Sequence, residues 1–273
     1  MSTPYLQTLG NGIKVLSALK PGPKTSPELI AETGIARLNL YRILRTLEAE
    51  GLVLRVDENS TYQLGLKVWE LGQSAEVGAR SHPETRRQVE RLRQTWGDTV
   101  HVAAYDLGEV IYVYKVDGTT HLRAYTTLGG RAPATAVASG KSLLAFQPQA
   151  EIDRVMAEPL VAHTDRSLTT AEQLAAELDE ARRTLTAVNR GEWRPGIGGV
   201  ASPILAARGA PVAAVSISGF ADRIVDERLG DRAAQVRDAA KMIALGLAAD
   251  EDAGRIEELY RPEHEVLTEA GSA

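Results

Sequence analysis

Residues 25–51 read TSPELIAETGIARLNLYRILRTLEAEG, and two helices joined by a sharp turn account for almost all of them. Ser26 is an N-cap candidate, because its hydroxyl can accept one of the unpaired N–H groups of a first helical turn. Pro27 comes next at the first helical position, where its missing N–H costs nothing. Leu29 and Ile30 give this helix an apolar face. Gly34 ends it and permits a positive φ at the turn. The second helix covers residues 36–50 and stops at Gly51. Its Leu40, Ile43, Leu44 and Leu47 fall at i, i+3, i+4 and i+7, one helical stripe. Arg37, Asn39, Tyr41, Arg42 and Arg45 fall off that stripe and face outward.

The outward set has a chemical meaning. Arginine can fork onto guanine O6 and N7, asparagine can pair with adenine N6 and N7, and tyrosine and arginine can hold phosphate oxygens. A helix with one buried face and one such face is what a helix-turn-helix lays in the major groove of DNA. The competing reading is an ordinary amphipathic helix pair with solvated arginines. The next stretch of chain favours DNA. LVLRV (52–56) and TYQL (61–64) are strand-like runs around the turn-forming DENS (57–60). A helix-turn-helix continued at once by a hairpin is a winged helix, with Arg55 and the hairpin tip near the DNA backbone or minor groove.

The 273-residue chain fits one or two domains, and its apolar and charged fractions are those of a globular protein. It has no cysteine, which excludes disulfides and thiolate metal sites and fits a reducing compartment. No apolar run reaches the roughly 20 residues a membrane span needs. MSTPYLQTLGNG lacks the basic start and apolar core of a signal peptide, so a cytoplasmic location is expected. The net charge of −5 opposes DNA binding at first sight. Up to Gly65, however, seven basic residues stand against six acidic ones, so the negative excess lies in the remainder. DNA affinity then has to come from arginines clustered on one face and from self-association, and it should be salt-sensitive.

Outward from the helix-turn-helix, residues 9–19 read as a first helix closed by KPGP (20–23). Residues 66–79, LKVWELGQSAEVGA, read as a linker helix whose Trp69 and leucines pack either on their own wing or on the same helix of a second subunit. Residues 83–97 read as a polar helix. The period then changes to two: 100–104, 109–116 and 121–126 form an antiparallel meander broken at DLG (106–108) and DG (117–118). Helices are expected over 134–146, 148–156 and 169–185, strands over 200–207 and 212–219 around RGAP (208–211), and a closing helix over 226–247. That order describes helices packed on an antiparallel sheet. The expected divisions are a DNA-binding domain at 1–65, a linker helix at 66–82, an effector-binding domain at 83–250 and a polar tail at 251–273.

No catalytic constellation assembles. The five histidines are scattered without i, i+3 or i+4 pairs, so no metal site is expected. SGKS (139–142) ends like a phosphate-binding P-loop, but the position that needs the motif's first glycine is Thr135. There is no G-x-S-x-G elbow. Acid pairs such as Asp179 and Glu180 read as solvated helix surface. A binding pocket remains. The helix that begins near Ala138 offers free backbone N–H groups and a positive dipole end, which suits a small anion or carbonyl. Gly196, Gly198 and Gly199 allow close backbone approach. Ser216 and Ser218, two apart in a strand, share one face. If that face is inward their hydroxyls need partners, either neighbouring backbone or a polar ligand.

Several ordered stretches together carry a resemblance over nearly the whole chain: NLYRILRTLEAEGLV (39–53), YQLG (62–65), GGRAPATAVASGKSLLA (129–145), NRGEWRPGIGGVASPI (189–204) and AAVSISG (213–219). The chain resembles the IclR family of bacterial transcription regulators. The resemblance implies an α+β chain with an N-terminal winged helix-turn-helix, a linker helix and a C-terminal GAF-like effector-binding domain built on an antiparallel sheet. It implies dimers or tetramers on palindromic operators and no cofactor. It also implies effector contacts from the backbone N–H groups of Ala138 and Ser139 and the hydroxyls of Ser216 and Ser218. Asn189 stands where members that bind small oxo-acids commonly have Asp, and Gly199 where many have Cys. These departures remove a carboxylate and enlarge the pocket, pointing away from a glyoxylate-sized ligand towards an amide, aromatic or acyl compound. Leu38 and Asn39 replace a frequent Ser-Thr pair, so the operator is expected to differ.

The resulting expectation is a ligand-responsive regulator of a catabolic operon, not an enzyme. DNA contacts fall to Ser26, Arg37, Asn39, Tyr41, Arg42, Arg45 and Arg55, and effector contacts to Ala138, Ser139, Asn189, Gly199, Ser216 and Ser218. Two other classes stay open: an enzyme that turns over the ligand, which a product assay would reveal, and a winged helix that contacts protein rather than DNA.

Overall fold

In a computed structural model, residues 6–57, 60–74, 79, 82–119, 126–249 and 252–260 are described. The chain divides into two compact units, Met1–Glu76 and Val77–Ala273.

The first unit holds α1 (Gln7–Ala18), β1 (Lys24–Thr25), α2 (Ser26–Thr33), α3 (Arg37–Ala49), β2 (Val53–Arg55), β3 (Thr61–Leu64) and α4 (Leu66–Ser74). Val15, Leu19, Leu29, Leu40, Leu44 and Val53 meet in one apolar cluster, so α1, α2, α3 and the wing share a core. Gly34 takes up φ 68° at the end of α2, the left-handed turn expected of it. The expected cap is corrected by one residue. Thr25, not Ser26, precedes the helix in extended conformation, and Ser26 and Pro27 are its first two residues. Glu28 reaches back to accept from both the Thr25 N–H and the Thr25 hydroxyl, which holds its carboxyl below the usual range. The reason for the shift is a strand that the sequence pattern did not mark: β1 pairs with β3, and the sheet order is β1-β3-β2 rather than a simple hairpin. Ser26 instead ties to the wing, its N–H donating to Ser60 O at 3.2 Å.

On α4, Leu66 and Trp69 are 80% and 65% exposed, so the apolar side chains of the expected linker helix do not pack on their own wing.

The second unit holds α5 (Pro83–Trp96), β4 (Thr99–Asp106), β5 (Glu109–Val116), β6 (Arg131–Pro133), α6 (Ala138–Leu144), α7 (Gln149–Ala157), α8 (Ala171–Thr184), β7 (Ala187–Asn189), β8 (Ile197–Leu205), β9 (Pro211–Phe220), α9 (Ala221–Ile224), α10 (Leu229–Leu247) and α11 (Ala253–Leu259). Six strands form one antiparallel sheet in the order β6-β5-β4-β9-β8-β7. The expected strand at 121–126 falls almost entirely outside the described residues. The sheet edges are instead the three-residue β6 and β7, too short for a periodicity to show.

Both faces of the sheet are covered. Val100 and Val102 of β4 join Val89, Leu92, Val236 and Ile243 on the side of α5 and α10. Ala103 and Ala214 join Val137 and Leu143 on the side of α6. The expected polar tail is corrected in part: α11 docks through Ile256, and buried Tyr260 accepts from Leu205 N–H and donates to Pro203 O. A helix too short and too charged to show an apolar stripe is held by one aromatic anchor. Among the described residues no helix is long and apolar enough to cross a membrane.

Candidate DNA-contacting helix and effector pocket

On α3 the buried residues are Leu40, Ile43, Leu44 and Leu47, the predicted stripe. Arg37, Leu38, Asn39, Tyr41, Arg42 and Arg45 are all exposed. Arg45 lies 3.5 Å from the Tyr41 hydroxyl, one turn along the same face. The helix therefore displays donors on one side while its other side is fixed in the core. Two other predicted contacts lie at the wing. Half-buried Ser26 sits against the wing, and Arg55 folds back on its own turn, donating to Asp57 O and Ser60 Oγ. Both shape the wing.

The second site lies on the α6 face of the sheet. One cavity is lined by all six predicted positions, Ala138, Ser139, Asn189, Gly199, Ser216 and Ser218. Register explains the convergence. Asn189 of β7 pairs with Gly199 of β8, and Gly199 with Ser218 of β9. In the neighbouring row Ser216 pairs with His101 of β4. Directly opposed residues point to the same face. The helix α6 then closes the end of this surface. Gly140 lets the turn that enters α6 fold back on the helix, since a Cβ there would lie 2.3 Å from the Ala134 Cα. No side chain caps α6, so its first-turn amides, those of Ala138 and Ser139, keep their donors free of helical partners.

Sequence reasoning missed His101, Tyr112, Thr126, Trp193 and Arg194 in the lining. A bulge decides Tyr112. His101 pairs with Lys115, but a register shift between Val102 and Ala103 pairs Ala103 with Tyr112. The slip turns Tyr112 onto the cavity face, where its ring lies 4.8 Å from that of His101. Only the alternation of polar His101 among apolar neighbours could have signalled the first of these.

The electrostatics favour a neutral-to-positive interior. Burial drives His101 down to about 3, so its ring is neutral near pH 7, with Nε2 2.6 Å from Thr126 Oγ1. Burial pushes the Tyr112 phenol up to about 12. Among the described residues no carboxylate lines the cavity. Ser218 donates to Gly198 O, whereas the Ser216 hydroxyl has no partner among the described residues. Asn189 is partly committed: its Oδ1 accepts from the N–H groups of Gly191 and Glu192 at 2.9 and 2.8 Å. Trp193 is half-buried and carries the exposed Arg194 over its ring at 4.7 Å. The cavity, partly open to solvent, is about 30 Å³, room for one or two waters. A Cβ at Gly199 would meet the Ile217 backbone O at 3.2 Å, a tight approach rather than open space. The missing side chain therefore adds little room at this position, where an enlargement was expected.

Lys141 of the SGKS stretch is fully buried against Glu177 and Glu192 at 2.9 and 2.7 Å. A phosphate cannot reach it, which gives the physical reason the P-loop likeness fails. Among the described residues no three His, Cys, Asp or Glu side chains could hold a metal.

The comparisons with known proteins bear on both sites. The domain described as "Bacterial transcriptional regulator IclR C-terminal" matches residues 81–245, and the "IclR helix-turn-helix domain" matches residues 8–57. The chain belongs to the IclR family. It is 30% identical over 221 residues to the HTH-type transcriptional regulator KipR of Bacillus subtilis, covering 81% of this chain and 88% of that protein. The crystal structure of the Thermotoga maritima IclR matches with TM-score 0.68 and 29% identity, covering 90% of this chain and all of that one. An IclR homolog from Microbacterium hydrocarbonoxydans, solved with 4-hydroxybenzoate, shares the fold with TM-score 0.77 at 21% identity, covering 88% and 98%. IclR proteins are transcription regulators, not enzymes. DNA binding by the helix-turn-helix and response to a small effector come with the family.

Proposed function

We propose that this IclR-family chain regulates a catabolic operon by binding a palindromic operator as a dimer or tetramer, with an effector in the cavity between α6 and β7–β9. Arg37, Asn39, Tyr41, Arg42 and Arg45 contact DNA directly, while Ser26 and Arg55 set the wing. The observation that carries the effector reading is the convergence of six chain segments on one cavity that holds unspent donors and, among the described residues, no carboxylate. Those donors are the α6 amides, the Ser216 hydroxyl and the Asn189 amide nitrogen, which suit a carboxylate or acyl oxygen. A ligand of benzoate size enters only if the wall carrying Trp193 and Arg194 moves outward. The Microbacterium homolog, solved with 4-hydroxybenzoate, supports that this fold accommodates such a ring. The effector regulates only by binding the operator-competent and operator-incompetent states with different affinity.

A mobility-shift titration with the DNA flanking the gene, at two salt concentrations and with a panel of carboxylates, amides and aromatics, tests the reading. The expected result is a specific, salt-sensitive shift altered by one compound class. A folded protein that shifts no such DNA at low salt would favour the protein-contacting winged helix instead.

A further inference from the structure

Among the described residues Lys141 is the largest fully buried side chain, and a lone ammonium at that depth is untenable without partners. It has two. Glu177 of α8 is partly exposed, but Glu192 is only 4% exposed at its side chain. Glu192 is committed at every polar atom. One carboxylate oxygen takes Lys141, and the other accepts from Arg190 N–H at 3.2 Å. Its own N–H donates to Asn189 Oδ1, and its carbonyl accepts from Ser167 Oγ at 2.7 Å. The residues on either side of this knot, Asn189 before it and Trp193 and Arg194 after it, line the cavity, as do Ala138 and Ser139 on the helix that carries Lys141. One buried ion pair thus joins the helix whose amides face the cavity to the loop that forms its solvent-side wall, although neither charged group lines the cavity itself.

We propose that Lys141 and Glu192 are positioning residues of the effector pocket: their ion pair latches the 189–194 loop in its closed place against α6. A buried ion pair is rarely the cheapest way to hold a core together, since well-packed apolar side chains of similar volume often do as well or better. It does fix one geometry, because both charges are satisfied in that arrangement and stranded in others. Arg190 and Glu177, 3.4 Å apart and more exposed, form the outer part of the same knot. The proposal rests on the effector reading of the cavity, but its first test needs no ligand.

Hydrogen exchange of the full-length protein, read peptide by peptide, is compared for wild type, Lys141→Met and Glu192→Gln. Glu192→Gln keeps the shape and the acceptor for Arg190 N–H while removing the charge. The expected result is at least tenfold faster exchange at residues 138–140 and 189–194, with α10 within twofold of wild type. Glu177→Gln should change the same amides threefold or less. Unchanged exchange of the loop in both inner variants would overturn the latch, as would equal loosening of α10, which would reduce the pair to a general stabiliser. A larger effect from Glu177→Gln than from Glu192→Gln would overturn it as well. If Lys141→Met fails to fold, Glu192→Gln decides alone. Calorimetric titration with pyruvate and 4-hydroxybenzoate then separates the two readings. Wild type binding neither would count against the effector reading while the exchange result stands, and a probe that binds wild type should bind Glu192→Gln at least tenfold more weakly.

Discussion

The two sites are built in opposite ways. Every proposed direct DNA contact lies on nine consecutive residues of one helix, exposed on one face and anchored on the other. The effector cavity draws on β4, β5, the turn into α6, the 189–197 loop, β8 and β9, and most of its lining is buried. A macromolecular partner brings its own surface and needs only a rigid face presented to it. A small ligand has to be surrounded, so its site exists only where distant segments close on each other.

The largest effect should come from the exposed face. Replacing Arg42 and Arg45 together by Ala is expected to weaken operator binding by on the order of 10²–10⁴-fold, at about 1–3 kcal/mol per contact, with the helical circular dichroism unchanged. Fluorescence anisotropy with labelled operator measures it. A loss under threefold would break the assignment of this face.

The buried site should respond to pH through His101. The folded pKa of His101 lies near 3, below the ordinary value of 6.5 for the free group. Below pH 6.5 the unfolded chain binds a proton that the folded one refuses. Stability from this group is therefore full above pH 6.5 and lost as pH falls towards 3, on the order of 3 kcal/mol by pH 4. Thermal melts of wild type and His101→Gln across that window should converge in acid. Parallel curves would mean that His101 is not the buried titrating group.

Ser216→Ala sharpens the comparison by touching one function only. About tenfold weaker binding of an effector is expected from one lost hydrogen bond, with ligand-free operator affinity unaltered. The smallest effect belongs to Gly199→Ala. A Cβ there meets Ile217 O at 3.2 Å and Ala138 Cβ at 3.7 Å. A stability loss within about 1 kcal/mol is expected, together with weaker binding of the bulkier ligands in a panel. Equal binding of large and small ligands would show that position 199 does not set the pocket's size.

Much of the winged unit was legible because its information is local. The i, i+3, i+4, i+7 stripe of α3 names its own buried face, and Gly34 marks the turn. The misplaced cap at Ser26 shows the limit, since β1 exists only through its pairing with β3, more than thirty residues away. In the effector unit the helix start at Ala138, the glycines around Gly199 and the shared face of Ser216 and Ser218 were legible from local spacing, whereas Asn189 came only from family resemblance. Tyr112 escaped because nothing local announces a bulge. Lys141 looked like a phosphate ligand by its neighbours, yet its actual partners stand 36 and 51 residues further along.

The sequence by itself determined the helix-turn-helix, the exposed arginine face, the strand periodicity of the second unit and the absence of any thiol chemistry. These follow from side-chain order along a single element, where the backbone repeat converts spacing into direction. The tertiary structure alone decided the register that stacks Asn189, Gly199 and Ser218 in one row, the bulge that turns Tyr112 inward, and the ion pair that sets Lys141 against Glu192. Strand register and buried charge pairing depend on which segments meet, and burial makes those meetings unique: a one-residue slip would strand a charge or turn a whole face outward.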